Sequence, residues 1–450
     1  MVGAGGSTAR KITRNRRTGR IVPAMPAPAD DPAPPEERTC ADPGSREGTP
    51  NLWQVVLIAV IAILFTVAYL ALYGLLDRVV WSQNGFVQAN PWAVPAGVLG
   101  FSLLVGLCRR YLHAPTVIHG GITDSLKGGE EKPDYRTFPG AFLSSILSLL
   151  SGASVGPEGT ITVLMGYVSP YVRDRLRIGS PGAALGFDVA ALASAFNGIV
   201  GNVLFTGVFA TEFQVGGNRN AFRFLTWNLL AGTVGYLFYL LLGLPSFARS
   251  IPFEPIGGLH PGYILCAIAL GILGSLLAVF AGVAMQAAGT VMDRVFGDAP
   301  VARVLAAGAV IACAGYFVPE VLFSGEAQLH GIIADPARLG VGMLLGAAVL
   351  KILLLALSFK SGYIGGPLFP IIFSSTLIGL ALNLAFPGIP VGIFVLCIEA
   401  AALTLALGAP LTSILLVAVV GTADPHMVVL LVISAVTAMV ISAAVKERPA

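Results

Sequence analysis

From Asn51 almost to its end the chain is a succession of apolar runs about as long as a membrane is thick, and several of them are broken in the middle by glycine and proline. Uninterrupted candidates cover about 52–76, 92–112, 224–243, 262–290 and 339–358, each near the ~20 residues a helix needs to cross hydrocarbon. Only helices and closed barrels satisfy their backbone in lipid. These runs are rich in Leu, Ala, Val and Gly and lack alternation, so helices are expected. Charged residues are 11% of the chain, against roughly 25% in soluble domains, which excludes a string of soluble domains. The expectation is an all-α polytopic membrane protein.

The interruptions constrain more than the runs do. Between Phe138 and Tyr171 the apolar sequence is cut by Gly152, Gly156, Pro157 and Gly159; between Leu339 and Ala406 it is cut by Gly362, Gly365, Gly366, Pro367, Pro370, Pro387 and Pro390. Broken helices inside a membrane are tolerated where they are buried in protein or line a cavity. The breaks also repeat. Ser151–Pro157 and Ser361–Pro367 both read S-G-x-x-x-G-P, 210 residues apart. Phe196–Phe205 and Leu407–Leu416 open two related apolar helices at an offset of 211, and His119-Gly120-Gly121 is echoed by Phe323-Ser324-Gly325. Three echoes in one order at nearly one offset predict two homologous halves, 52–250 and 251–446. Glycine-interrupted segments at corresponding places in two halves point to a transport site.

The physics of such a break favours an anion. Glycines bend the chain, and proline tolerates the first helical position, where its missing N–H would be unpaired anyway. The next amides then point, unsatisfied, at the positive end of a helix dipole. Two half-helices aimed at one point bind an anion without a formal positive charge. Glu158 follows Pro157 in the first break, and an acid at membrane depth is a functional candidate by default. One reading makes it a first-turn acid complementing the dipole; the other has its carboxylate compete with a permeating anion and yield when protonated. Its repeat counterpart is Leu368, so the acid occurs once.

Together these motifs resemble the CLC chloride channels and proton-coupled antiporters. The resemblance rests on Gly156-Pro157-Glu158-Gly159, Gly365-Gly366-Pro367-Leu368-Phe369-Pro370, Phe196-Asn197 and Ala409-Pro410-Leu411-Thr412, in that order along the chain except that the Phe-Asn pair falls between the first two. It implies two inverted-topology repeats whose broken helices meet at the bilayer midplane, a homodimer with one pore per subunit, and permeation of chloride or another small halide. It makes Glu158 the gating glutamate. The anion-binding positions it implies are Gly120, Gly121, Gly156, Gly159, Gly366, Leu368 and Phe369.

The departures are specific. Pro157 replaces a basic residue, Gly120 replaces an anion-site serine, and Pro367 removes one amide. The usual anion-site tyrosine has no counterpart in the sequence, which stops at Ala450. The position of the inward-facing proton glutamate of family antiporters falls near Phe209. Glu212, one turn on, either substitutes for it or ends its helix at the water boundary. Glu399, inside an apolar run, is either a second proton relay or a neutral core carboxyl. Lys351 is expected to snorkel to the interface, with a role as an anion attractor as the alternative. Gly159-Thr160 in place of Gly-Pro is similar to the fluoride-exporting branch of the family. The expected function is transport of chloride, or else fluoride, leaning to exchange with protons, with a passive channel as the alternative.

Other classes fare worse. No H-E-x-x-H is present, Asp188 and Asp293 sit apart, and His260 and His330 lie in loop-like stretches, so no enzyme is expected. A non-transporting scaffold is a further alternative. The five cysteines are scattered without a C-x-x-C, which leaves no metal, cofactor or disulfide framework to expect. Arg10, Lys11, Arg14, Arg16, Arg17 and Arg20 precede a Pro-rich stretch, so residues 1–51 read as a disordered cytoplasmic tail without a nucleic-acid partner. Residues 447–450 read as a short cytoplasmic end, and the membrane as a prokaryotic inner membrane.

Overall fold

The computed structural model describes residues 49–115, 133–215, 221–243, 247–248 and 251–446. Gly120 and Gly121, and the N-terminal tail, lie outside the described residues. The first half holds α1 (Leu52–Asp77), α2 (Ala93–Tyr111), α3 (Phe138–Leu150), α4 (Pro157–Arg175), α5 (Pro181–Ala195), α6 (Val203–Val215) and α7 (Ala221–Leu242). The second holds α8 (Pro261–Phe296), α9 (Pro300–Phe317), α10 (Glu326–Ala334), α11 (Gly340–Ser361), α12 (Leu368–Ala385), α13 (Val391–Leu407), α14 (Pro410–Val420) and α15 (Pro425–Lys446). Among the described residues eight helical segments are long and apolar enough to cross a membrane. Three of these, α9, α12 and α15, extend the set read directly from the apolar runs.

Sequence sets the helix ends. At the start of α1 the Asn51 N–H donates to Gln54 Oε1 at 2.9 Å, using a donor the helix cannot satisfy internally. Pro157 occupies the first turn of α4, where a missing N–H costs nothing. Gly362 ends α11 with φ +106°, a conformation an L side chain resists.

The halves repeat one plan. α4 and α12 have 19 and 18 residues, α5 and α13 have 15 and 17, and α7 and α15 each have 22. The burial is uneven in a way that locates the core. The most apolar stretch of α12 is 72% buried, whereas those of the other spans are 22–44% buried. Every residue of α13 from Gly392 to Thr404 is buried too. α12 packs between α11 and α13, and α8 lies against α13. Lipid tails are as apolar as the side chains, so these contacts depend on close packing rather than on water exclusion. Small residues supply it. Gly379 of α12 meets the Val395 backbone, and Gly274 of α8 meets the Ile398 carbonyl.

Candidate functional site

The two breaks meet at the centre of the molecule and bind each other. Gly156 N donates to Gly366 O at 2.8 Å, and Gly366 N donates to Gly156 O at 2.8 Å. This reciprocal pair is an isolated antiparallel bridge. A second reciprocal pair lies outside it. Ser154 N donates to Ser358 Oγ of α11 at 3.2 Å, and Ile364 N donates to Ser148 Oγ of α3 at 3.0 Å. Ser148 and Ser358 each stand three residues before an S-G motif, so each half's break hangs from the serine of the other half. Buried amides in an irregular segment need such partners, because an unpaired one costs about 1–3 kcal/mol. The glycines are required at the crossing. A Cβ on Gly159 would strike the Gly365–Gly366 backbone, and one on Gly365 would strike Val155.

Glu158 projects across this crossing to the other half. Its Oε1 accepts from Leu368 N, the first residue of α12, at 2.7 Å. The side chain is buried and its Oε2 has no hydrogen-bond partner. The carboxylate is also the neighbour that a Cβ on Gly156 or Gly366 would strike. The Phe369 amide faces the same carboxylate. Pro367 and Pro370 bracket these two residues and carry no N–H, and Ile371 N is already bonded to Pro367 O at 3.1 Å. Leu368 and Phe369 therefore supply the available donors of the first turn of α12. Glu158 occupies the place an anion would take at a helix start, and it meets the residue that is its own counterpart in the repeat.

This geometry corrects part of the expected anion-binding set. Leu368 and Phe369 turn their amides to the Glu158 carboxylate. Gly156 and Gly366 are not donors to an anion, since their amides are used on each other; their role is to let the two breaks touch. Gly159 contributes the close approach just described.

The remaining acids lie elsewhere. Glu212 neither faces the crossing nor ends its helix, as α6 runs on to Val215. Its Oε1 accepts from Leu411 N at 3.1 Å and its Oε2 from Thr412 N at 2.6 Å, so it caps α14. Phe209 is buried with its ring 4.1 Å from that of Phe196 and 5.7 Å from that of Phe205. Glu399 is buried on α13 and reaches Thr376 Oγ1 of α12 at 2.7 Å. Thr376 lies two turns along α12 from Leu368, roughly 12 Å by helical rise.

Three features escaped the sequence reading. Lys351 does not snorkel. It is 0% exposed, and its Nζ donates to the carbonyls of Val321, Leu322 and Phe323 at 2.9, 3.3 and 2.6 Å. Its single charge in an apolar run was visible, but its direction was not. Phe247 packs edge-on against Phe369 at 5.2 Å and lies 6.3 Å from Tyr73, walling one side of the crossing. Tyr69 is buried, with its phenol donating to Ser145 Oγ at 3.0 Å. No sequence signal joined those segments.

Among the described residues no cluster of His, Cys, Asp and Glu is arranged to hold a metal ion.

The profile of the family described as "Voltage gated chloride channel" matches residues 100–443. Among curated relatives, YfeO of Escherichia fergusonii, provisionally named an ion-transport protein, is 25% identical over 371 residues, covering 76% of this chain and 81% of its own length. The YfeO of Salmonella paratyphi A is 24% identical over 355 residues, covering 76% of this chain and 82% of its own. Among solved structures, a CLC-type fluoride/proton antiporter superposes with a TM-score of 0.69 at 18% identity, over 87% of this chain and 96% of its own. A slow cyanobacterial Cl−/H+ antiporter superposes with a TM-score of 0.72 at 17% identity, over 88% of this chain and 95% of its own. At those identities the structural likeness speaks for the fold.

Proposed function

Because the chain belongs to the voltage-gated chloride channel family, the CLC channels and antiporters, we propose that it carries a small inorganic anion across the membrane through the position that the Glu158 carboxylate occupies. The observation that carries this reading is the 2.7 Å bond from Leu368 N to Glu158 Oε1. A carboxylate and a halide want the same donors. While ionised, Glu158 fills the position; once protonated it loses the charge that makes its bond strong, and an anion takes its place. Family members are transporters and channels, so no residue is assigned a catalytic role.

Chloride is the first substrate and fluoride the second. Structural relatives named for each anion support both. Exchange with protons is the preferred mechanism, because the gate is itself a proton acceptor and both named relatives are proton antiporters. A passive channel is the second reading, favoured by Phe209, which places an apolar ring where family antiporters are expected to hold an inward-facing acid. Glu399 is the stronger of the remaining proton-relay candidates, since both oxygens of Glu212 are engaged in capping α14. The protein is proposed to act as a homodimer in a prokaryotic cell membrane with its N-terminus in the cytoplasm.

Efflux from proteoliposomes, with chloride and fluoride compared and external pH recorded, tests the reading. Uphill proton movement driven by an anion gradient is the expected result. Anion flux without proton movement establishes the channel instead. No flux of either anion overturns transport and leaves a scaffold.

A further inference from the structure

The buried charged side chains among the described residues are Glu158, Glu399 and Lys351. The proposed gate uses the first and has no use for the third. Yet Lys351 is held with unusual completeness. Three backbone carbonyls receive its Nζ, and the face of Phe373 lies 4.8 Å below it. Three acceptors around one nitrogen match the three protons of an ammonium; a neutral amine has two and would turn its lone pair toward a carbonyl oxygen. Among the described residues no carboxylate forms an ion pair with it. A neutral donor would satisfy the same carbonyls without the several kcal/mol that burying an ion costs. The formal charge itself therefore calls for an explanation.

Its placement supplies one. Phe373 stands five residues beyond Leu368 on α12, about 7.5 Å along the helix axis, so the ammonium stacked on its ring sits beside the first turns of that helix. The α11 segment that carries it is tied to the first break, because Ser154 Oγ donates to Lys351 O at 3.3 Å. The carbonyls that hold it lead directly into Phe323, whose N–H donates to Gly152 O at 3.0 Å. Glu399 is the other charge candidate facing α12, and it is held by a neutral partner. The Thr376 hydroxyl donates to Glu399 Oε1 at 2.7 Å and lies 2.8 Å from Ile372 O.

We propose that the Lys351 ammonium is the fixed countercharge of the anion position, so that anion occupancy and protonation of Glu158 exchange at constant buried charge. With Glu158 ionised and the position empty of anion, Lys351 balances the carboxylate. With Glu158 protonated, a proton has entered from solution and a halide has taken the carboxylate's place, so Lys351 balances the halide. The buried charge is the same in both states. A site with two free amides on α12 and no basic residue beside its glutamate gains here the long-range attraction it otherwise lacks. This inference rests on the proposed anion position.

The test is equilibrium binding of chloride and bromide to the purified full chain in detergent, by titration calorimetry, in a Glu158→Gln background, where the side chain at the position carries no charge to compete with a halide. Lys351→Gln added to that background is expected to weaken halide binding about tenfold, the order of effect of removing one buried unit charge at an intermediate effective dielectric. Lys351→Arg keeps the charge and changes the shape. It is expected to hold affinity within about twofold, whatever it does to the melting temperature. If Lys351→Gln leaves affinity unchanged, or if affinity under Lys351→Arg falls in step with thermal stability, Lys351 is a strut for the 321–323 segment and the proposal is wrong. If Glu399→Gln alone strengthens halide binding as much as Lys351→Gln weakens it, Glu399 is ionised and Lys351 balances that carboxylate instead of the anion position, which also overturns the proposal. Should Lys351→Gln fail to fold, the arginine variant decides alone. Absence of halide binding to Glu158→Gln itself overturns the anion position and this inference with it.

Discussion

Replacing Glu158 by Gln isolates the competition between the gate and the anion. The side chain keeps its size and an oxygen able to accept from Leu368 N, so the 2.7 Å contact can persist without its charge. A hydrogen bond to a charged group contributes about 1.5–3 kcal/mol and a neutral one about 1. The difference, about 0.5–2 kcal/mol, is what the carboxylate gains over an amide in holding Leu368. It converts to roughly two- to thirtyfold easier displacement by an anion. A second effect adds to it, because the orphaned Oε2 is replaced by an N–H2 that repels no anion. Wild-type flux is expected to rise as pH falls, since protonation does to Glu158 what the substitution does permanently. Glu158→Gln flux is expected to start high and to be flat between about pH 4 and 8. If the protein exchanges protons, the variant also loses uphill proton movement while keeping anion flux. The assay is halide efflux from proteoliposomes across that pH range. Flux and pH dependence equal to wild type would refute the reasoning, whatever the protein then proved to transport.

Further outcomes are open to measurement. Ser148→Ala and Ser358→Ala each strand one buried amide, of Ile364 and Ser154 respectively, and are expected to cost about 1–3 kcal/mol apiece, with nearly equal falls in melting temperature because the contacts are equivalent in the two halves. Gly159→Ala forces a methyl into the Gly365–Gly366 backbone; loss of folded yield, rather than altered selectivity, is the expected readout on size-exclusion chromatography. Glu212→Gln weakens the cap on α14 by about 1 kcal/mol and should lower thermal stability while proton coupling in vesicles stays intact; loss of coupling at unchanged stability would instead make Glu212 the relay. Phe209→Glu, placing an acid against the Phe196 ring, is expected to increase proton movement per anion in a vesicle assay if the aromatic plug limits coupling, and to destabilise the chain in any case.

The membrane class and the helical fold followed from the apolar runs alone, because in lipid every backbone group must be satisfied within a helix, and length then counts the spans. The paired S-G-x-x-x-G-P motifs also marked where the helices break, and Glu158 and Leu368 shared a register before any coordinates. These are local matters: a glycine or proline acts on its own backbone, and a repeat is visible as spacing. What spacing could not decide is which of the freed amides remain free. Gly156 and Gly366 looked as well suited to an anion as Leu368, and only their meeting across the two halves uses them up, leaving two donors at the start of α12. The same holds for the charges. Lys351 and Glu212 each stood out as an ionisable group near a helix end or in an apolar run, but a long side chain reaches several ångströms in any direction. Whether it ends in water, on a helix cap or among three carbonyls depends on neighbours remote in sequence, 28–30 residues away for the lysine and 199–200 for the glutamate. Leu411 and Thr412 meet the glutamate only once the two halves have packed together, and Val321 to Phe323 meet the lysine only once the second half has folded on itself.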